Sequence, residues 1–146
     1  MKKFVFQLQS LYDVKQTLET QQKNQLQQIE AKLAKLREEM ELLQDSFAKS
    51  REEYRAETEK GIQADRLSRY GEYFDLLNRS ITAQRERIAQ AEVQRKKCVE
   101  ALVEIMKEIK ALEKLKEKQY EEYLKEVKNE EEKAIGDMIS YKVAAS

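Results

Sequence analysis

The sequence predicts an all-α fold, a long antiparallel two-helix coiled-coil hairpin with its turn near residues 58–66. Three observations predict it. Charged residues make up 38% of the chain and hydrophobic residues 40%, with no Pro, no Trp and three Gly, a profile of long helices with a narrow apolar seam. Apolar residues recur at alternating steps of three and four in two long tracts. Between the tracts lies "KGIQADRLSRYGEYF", residues 60–74, which holds two of the three glycines.

The first element is expected at about residues 6–57. From Leu26 the apolar positions run through Ile29, Leu33, Leu36, Met40, Leu43, Phe47 and, after Ser50, Tyr54. This is a heptad seam, which stays on one side of a helix only if the helix winds around a partner. Upstream, Leu8, Leu11, Val14 and Leu18 form a similar stripe, but Leu18 and Leu26 are eight residues apart, one more than a heptad. A local drift of the seam is expected there.

The second element is expected at about residues 67–135. Leu67, Tyr70, Phe74, Leu77, Ile81, Gln84, Ile88, Ala91, Arg95, Cys98, Leu102, Ile105, Ile109 and Leu112 alternate without a slip, and only Gln84 and Arg95 are polar. An arginine on a seam lays its methylenes along apolar surface and lifts its head to water. Reversing the chain near Ile62 sets Leu33 near Ala91, Leu26 near Cys98 and Leu11 near Leu112. Arms of about 50 residues would be roughly 75 Å long. From Glu113 to Lys133 fourteen of twenty-one residues are charged, with signs mixed, as in a solvated helix supported by pairs three and four apart. Leu115, Tyr120, Tyr123, Leu124 and Val127 keep a stripe there, and Gly136 is expected to open a C-terminal tail, residues 136–146. All 146 residues fit a single domain.

The same residues argue against several classes of function. Twenty-eight basic and 28 acidic residues are interspersed, so no single-sign field is available for a nucleic-acid backbone. The chain has no His and one Cys, which removes the commonest general base and metal ligand and leaves no zinc set. Gly61 and Gly71 lack phosphate-loop spacing. Neither catalytic residues nor a cofactor or metal are expected. Met1 to Phe6 begins like a signal peptide but breaks at Gln7, and no stretch approaches the roughly 20 apolar residues of a membrane span. The expectation is a cytoplasmic, mainly monomeric protein that offers a docking surface.

Three regions, "FVFQLQSLYDVKQTLE" from Phe4, "GIQADRLSRYGEYFDLLNRSI" from Gly61 and "LEKLKEKQYEEYLKEVKNEEEKAIGDMISYK" from Leu112, together resemble the FliJ family of flagellar type III export proteins. The resemblance implies an export-apparatus component similar to the central stalk of rotary ATPases. Its partners would be the export ATPase (FliI-like), the cytoplasmic domain of the export gate (FlhA-like) and export chaperones. The family's gate-contacting aromatic and leucine fall on Tyr73 and Leu77, with Phe74 beside them and Gln84 further along the helix. Tyr73 stands where the family has phenylalanine. Phe74 and Leu77 lie on the seam, whereas Tyr73, Arg69 and Asp65 lie off it. ATPase contact falls on the two helix ends that meet: Phe6, Leu8, Leu11 and Tyr12 on one, Tyr120, Tyr123, Leu124 and Val127 on the other.

Three other readings share part of this pattern. One is a parallel dimer of a single interrupted helix. Another is a prefoldin-like subunit, although Thr58 to Leu67 shows no β-hairpin sequence. The third is the homologous stalk of a virulence type III system or a vacuolar-type ATPase.

Overall fold

The computed structural model describes residues 2–145. They form a helical hairpin of α1, Gln9–Lys60, and α2, Ala64–Ala145. No strand occurs among the described residues.

The turn occupies three residues, and its cause is local. Gly61 adopts φ 94°, a left-handed conformation costly for residues with a Cβ, and its N–H reaches the carbonyl of Thr58 at 3.2 Å. This glycine cap satisfies one of the orphan carbonyls at the end of α1. Lys60 in the last turn of α1 and Asp65 in the first turn of α2 each complement the helix dipole they sit on. Arg66 donates to Glu57 across the turn at 2.6 Å.

Both outer boundaries differ from the sequence expectation. Helix α1 starts at Gln9 rather than near residue 6, because Phe6 is buried against α2 from a non-helical segment and its carbonyl accepts the Gln9 N–H at 3.1 Å. Helix α2 does not end near residue 135 but runs through Gly136 to Ala145. Gly136 keeps a negative φ. A single glycine costs a helix about 1 kcal/mol, which flanking helix formers absorb.

Within the hairpin the chain divides into two compact units. One is Gln22–Ala101. Its centre is Leu33, Leu36 and Ala91, with Ile29 and Ile88 packed against them, as the seam predicts. Met40, Leu77, Ile81 and Cys98 are also buried, each large apolar side chain contributing about 1.5–3 kcal/mol. Nearer the turn the seam is aromatic: Phe47 meets Phe74 edge-on at 5.3 Å, and Tyr54 meets Tyr70 at 5.3 Å and Phe74 at 5.9 Å. Arg95, the charged seam position, lifts its guanidinium to solvent and pairs with Glu30 at 3.2 Å.

The second unit combines Met1–Gln21 with Leu102–Ser146. On α2 the inward residues are apolar, with Ile109 and Leu112 buried and Leu102, Ile105 and Leu115 half-buried. On α1 they are polar. Gln9, Tyr12, Lys15 and Glu19 occupy the half-buried positions, while Leu8, Leu11, Val14 and Leu18 remain 36–54% exposed. Leu11 therefore does not join the seam opposite Leu112, as the sequence spacing suggested. Steps of four and three back from Leu26 reach Gln22, Glu19, Lys15 and Tyr12. Each residue adds about 100° of rotation, so the extra residue between Leu18 and Leu26 swings the leucines onto the flank, and the helix does not rewind to recover them.

Candidate functional site

The turn-bearing unit holds the first group of candidates. Of the four sequence-predicted gate residues, only Tyr73 is exposed, at 42%. Phe74 is half-buried in the aromatic cluster and Leu77 is buried. Gln84 is 2% exposed. Its amide nitrogen donates to the Leu36 carbonyl at 2.8 Å and to Glu39 at 3.1 Å, and its oxygen accepts from Arg87 at 2.8 Å. Leu77 and Gln84 thus serve helix pairing. A partner reaches them only if the helices part.

Sequence reasoning missed Leu42 and Leu76, which are more exposed than Tyr73. Each adjoins a seam leucine, in the pairs Leu42-Leu43 and Leu76-Leu77, and two neighbours on a helix cannot both face the same partner. That adjacency was the available signal. Arg69, Tyr73 and Leu76 follow one another at steps of four and three and share a flank of α2. A shallow cleft of about 490 Å³ lies along it, lined by Ser50, Glu53, Arg66, Arg69, Tyr70 and Tyr73. Burial among the rings, and then the Glu57 carboxylate, hold the Tyr70 hydroxyl above its ordinary pKa. The flank of α2 is an apolar and cationic surface, with Arg66 and Arg69 beside Tyr73.

The unit carrying both chain termini holds the second group. Here α1 and α2 are joined by polar bridges: Lys116 to Gln9 at 3.0 Å, Tyr12 to Glu113 at 3.0 Å, and Lys15 to Glu108 as an ion pair. Donation of the Tyr12 hydroxyl to the Glu113 carboxylate stabilises its protonated form and raises its pKa, with burial adding to the effect. Leu8 and Leu11 are exposed, as are Tyr120 and Leu124, while Val127 is half-buried. Tyr123 is half-buried.

Phe6 is placed differently from the other candidates in its group. At 5% exposure it is buried, and the Lys116 ammonium lies 5.9 Å from its ring centroid. Residues 2–8 form a non-helical arm along α2. Phe4 meets Tyr120 edge-on at 5.2 Å and Tyr123 at 5.5 Å, and the Tyr123 hydroxyl donates to the Lys2 carbonyl at 2.6 Å. Ordering each arm residue costs about 1–2 kcal/mol of backbone entropy, comparable with what each aromatic or hydrogen-bonded attachment returns. Past the arm, α2 residues 128–145 are exposed at every position, including Ile135, Met138 and Ile139.

Among the described residues no cluster of side chains is suited to hold a metal ion, and no helix is long and apolar enough to cross a membrane. Cys98 is a buried free thiol whose sulfur lies 3.6 Å from the Gln22 carbonyl. Fold and surface together define a class: a two-helix hairpin that presents apolar side chains along its flanks. Within that class, the family model described as flagellar FliJ protein matches residues 3–145, and the chain belongs to this family. It is thus a component of flagellar type III protein export. No curated protein and no solved structure matches it.

Proposed function

We infer that this chain is a stalk that couples the export ATPase to the export gate. The unit carrying the termini docks in the ring of a FliI-like ATPase through Leu8, Leu11, Tyr120, Leu124 and Val127. The turn-bearing unit offers Tyr73, with Leu76 and Arg69 beside it, to the cytoplasmic domain of an FlhA-like gate. Export chaperones are further partners. The protein acts in the cytoplasm, peripherally at the membrane-bound export apparatus, and does no catalysis itself.

One observation supports this reading above the others. Leu11, Val14 and Leu18, with Leu8 just before them, form an exposed apolar stripe along a helix whose inward face is already filled by polar bridges. Apolar surface left in water costs roughly 25 cal/mol per Å², and contiguous exposed patches mark interaction sites. A stalk that binds one conformation of a ring better than the others shifts the ring toward that conformation. Bound asymmetrically in a central pore, it biases the surrounding subunits in turn.

The test is hexamerisation and hydrolysis by the cognate ATPase with and without the chain. A tenfold excess of the native chain is expected to promote both, and Leu11→Gln with Leu18→Gln to abolish the effect while helix content is retained. No change with the native chain sinks the stalk reading. For the other unit, Tyr73→Ala is expected to release the gate domain in a pull-down and to leave ATPase capture intact.

A further inference from the structure

We propose that the N-terminal arm, residues 2–8, is a releasable strap that covers part of the ATPase-docking face of α2 in the free chain. The proposal rests on the reading that this face docks the ATPase. The arm is attached to α2 by side-chain contacts: the Tyr123 hydroxyl on the Lys2 carbonyl, the Phe4 ring against Tyr120 and Tyr123, and buried Phe6 beneath the Lys116 ammonium. The helix pairing next to it is made without the arm. Gln9, Tyr12 and Lys15 bridge to Lys116, Glu113 and Glu108 from within α1. The arm can leave while these bridges persist.

Release changes what α2 presents. Lys116, Tyr120, Tyr123 and Val127 follow one another at steps of four, three and four, one continuous helical stripe, and the arm lies over its first three members. Val127 and the adjoining Leu124 continue the surface beyond it. A partner that packs on the whole stripe occupies the space of Phe4 and Phe6, so strap and partner exclude one another. The partner's apparent dissociation constant is then the intrinsic one divided by the fraction of chains with the strap open. The ATPase meets a stalk that is partly closed, and its binding carries the cost of opening.

The test uses the full chain with Cys98→Ser, Lys3→Cys and Glu126→Cys, position 126 being exposed and one turn beyond Tyr123 beside the stripe. Spin labels on the two introduced cysteines report arm position, and a short bismaleimide across them locks the strap shut. The free chain is expected to show a dominant short distance with a minor broad component. Phe4→Ala with Phe6→Ala should convert it to the broad component with unchanged helix content. The locked chain should bind the ATPase at least tenfold more weakly than the unlocked one, and the double alanine chain more tightly. A short distance that survives the double alanine change, loss of helix content in that variant, or equal affinity of locked and unlocked chains overturns the strap. If the unlocked chain does not bind the ATPase, the docking reading falls, while the label distances still decide whether the arm opens.

Discussion

The side-chain amide of Gln84 on α2 donates to the main-chain oxygen of Leu36 on α1 at 2.8 Å, with both residues buried. A polar side chain at a seam position costs stability but fixes which residues face each other, and this one ties the register to a backbone atom that α1 presents at a single height. Gln84→Ala is expected to cost about 1–3 kcal/mol, because Arg87 and Glu39 lose their partner and a cavity opens. Gln84→Leu should keep stability within about 1 kcal/mol and broaden the register. Urea unfolding measures the first, and disulfide trapping of introduced cysteine pairs in shifted registers measures the second.

Tyr12 and Glu113 make stability depend on alkaline pH. The folded-state pKa of Tyr12 is raised above its unfolded value of 10.0, first by its hydrogen bond to Glu113. A raised pKa contributes stability that is fully present below the unfolded value and is lost as pH rises through the folded one. Melting temperature is therefore expected to fall above pH 10, and Tyr12→Phe should lower it modestly at neutral pH and remove part of that fall, so that the two chains converge at alkaline pH. A Tyr12→Phe chain with the same alkaline profile as the native one would refute the assignment.

Gly61 and Gly71 should respond to alanine in opposite directions. Both have open space where a Cβ would go, but Gly61 sits at φ 94° and Gly71 lies inside α2 with a negative φ. Gly71→Ala is expected to stabilise by about 0.5–1 kcal/mol through helix propensity. Gly61→Ala should destabilise by about 1–2 kcal/mol through backbone strain. Thermal unfolding of the two variants distinguishes them by sign alone.

Leu18 and Leu33 look equivalent in sequence and differ in the fold, one at 36% and the other at 2% exposure. Leu33→Ala is expected to cost about 2–5 kcal/mol. Leu18→Gln should stay within about 0.5 kcal/mol of the native chain. Denaturant midpoints at constant m-value decide it.

Sedimentation addresses the rival parallel dimer. The seam of the 22–101 unit is filled by the chain's own second helix, so a species of 17.3 kDa is expected at micromolar concentration. A species of twice that mass would favour the dimer.

The hairpin and its turn were legible because the heptad pattern is long and Gly61 stands where the two tracts meet. Heptad steps from Leu26 also placed Leu33 opposite Ala91. What escaped was the direction of the leucines before residue 20. Spacing alone reads Leu8, Leu11, Val14 and Leu18 as seam, since an apolar stripe carries no label saying which way it points. Only the phase inherited from Leu26 decides that, and it decides for Tyr12 and Lys15. The arm was equally hidden: Phe4 and Phe6 alternate with Val5, a pattern too short to separate a helix start from an extended segment. For the candidate site, exposure of Tyr73 followed from its off-seam position, whereas the burial of Leu77 and Gln84 was already implied by the seam they sit on.

The polar inward face of Gln9, Tyr12, Lys15 and Glu19 also bears on how the helix breathes. Backbone amides are protected from exchange in proportion to the free energy of the opening that exposes them, and a segment that buries little apolar surface opens before the rest. Amides of residues 12–20 should therefore exchange by local opening, well ahead of those around Leu33 and Met40, which exchange only when the whole chain unfolds. Within α1 a single unbroken helix carries two lifetimes: one segment that resamples its pairing many times while the other holds still.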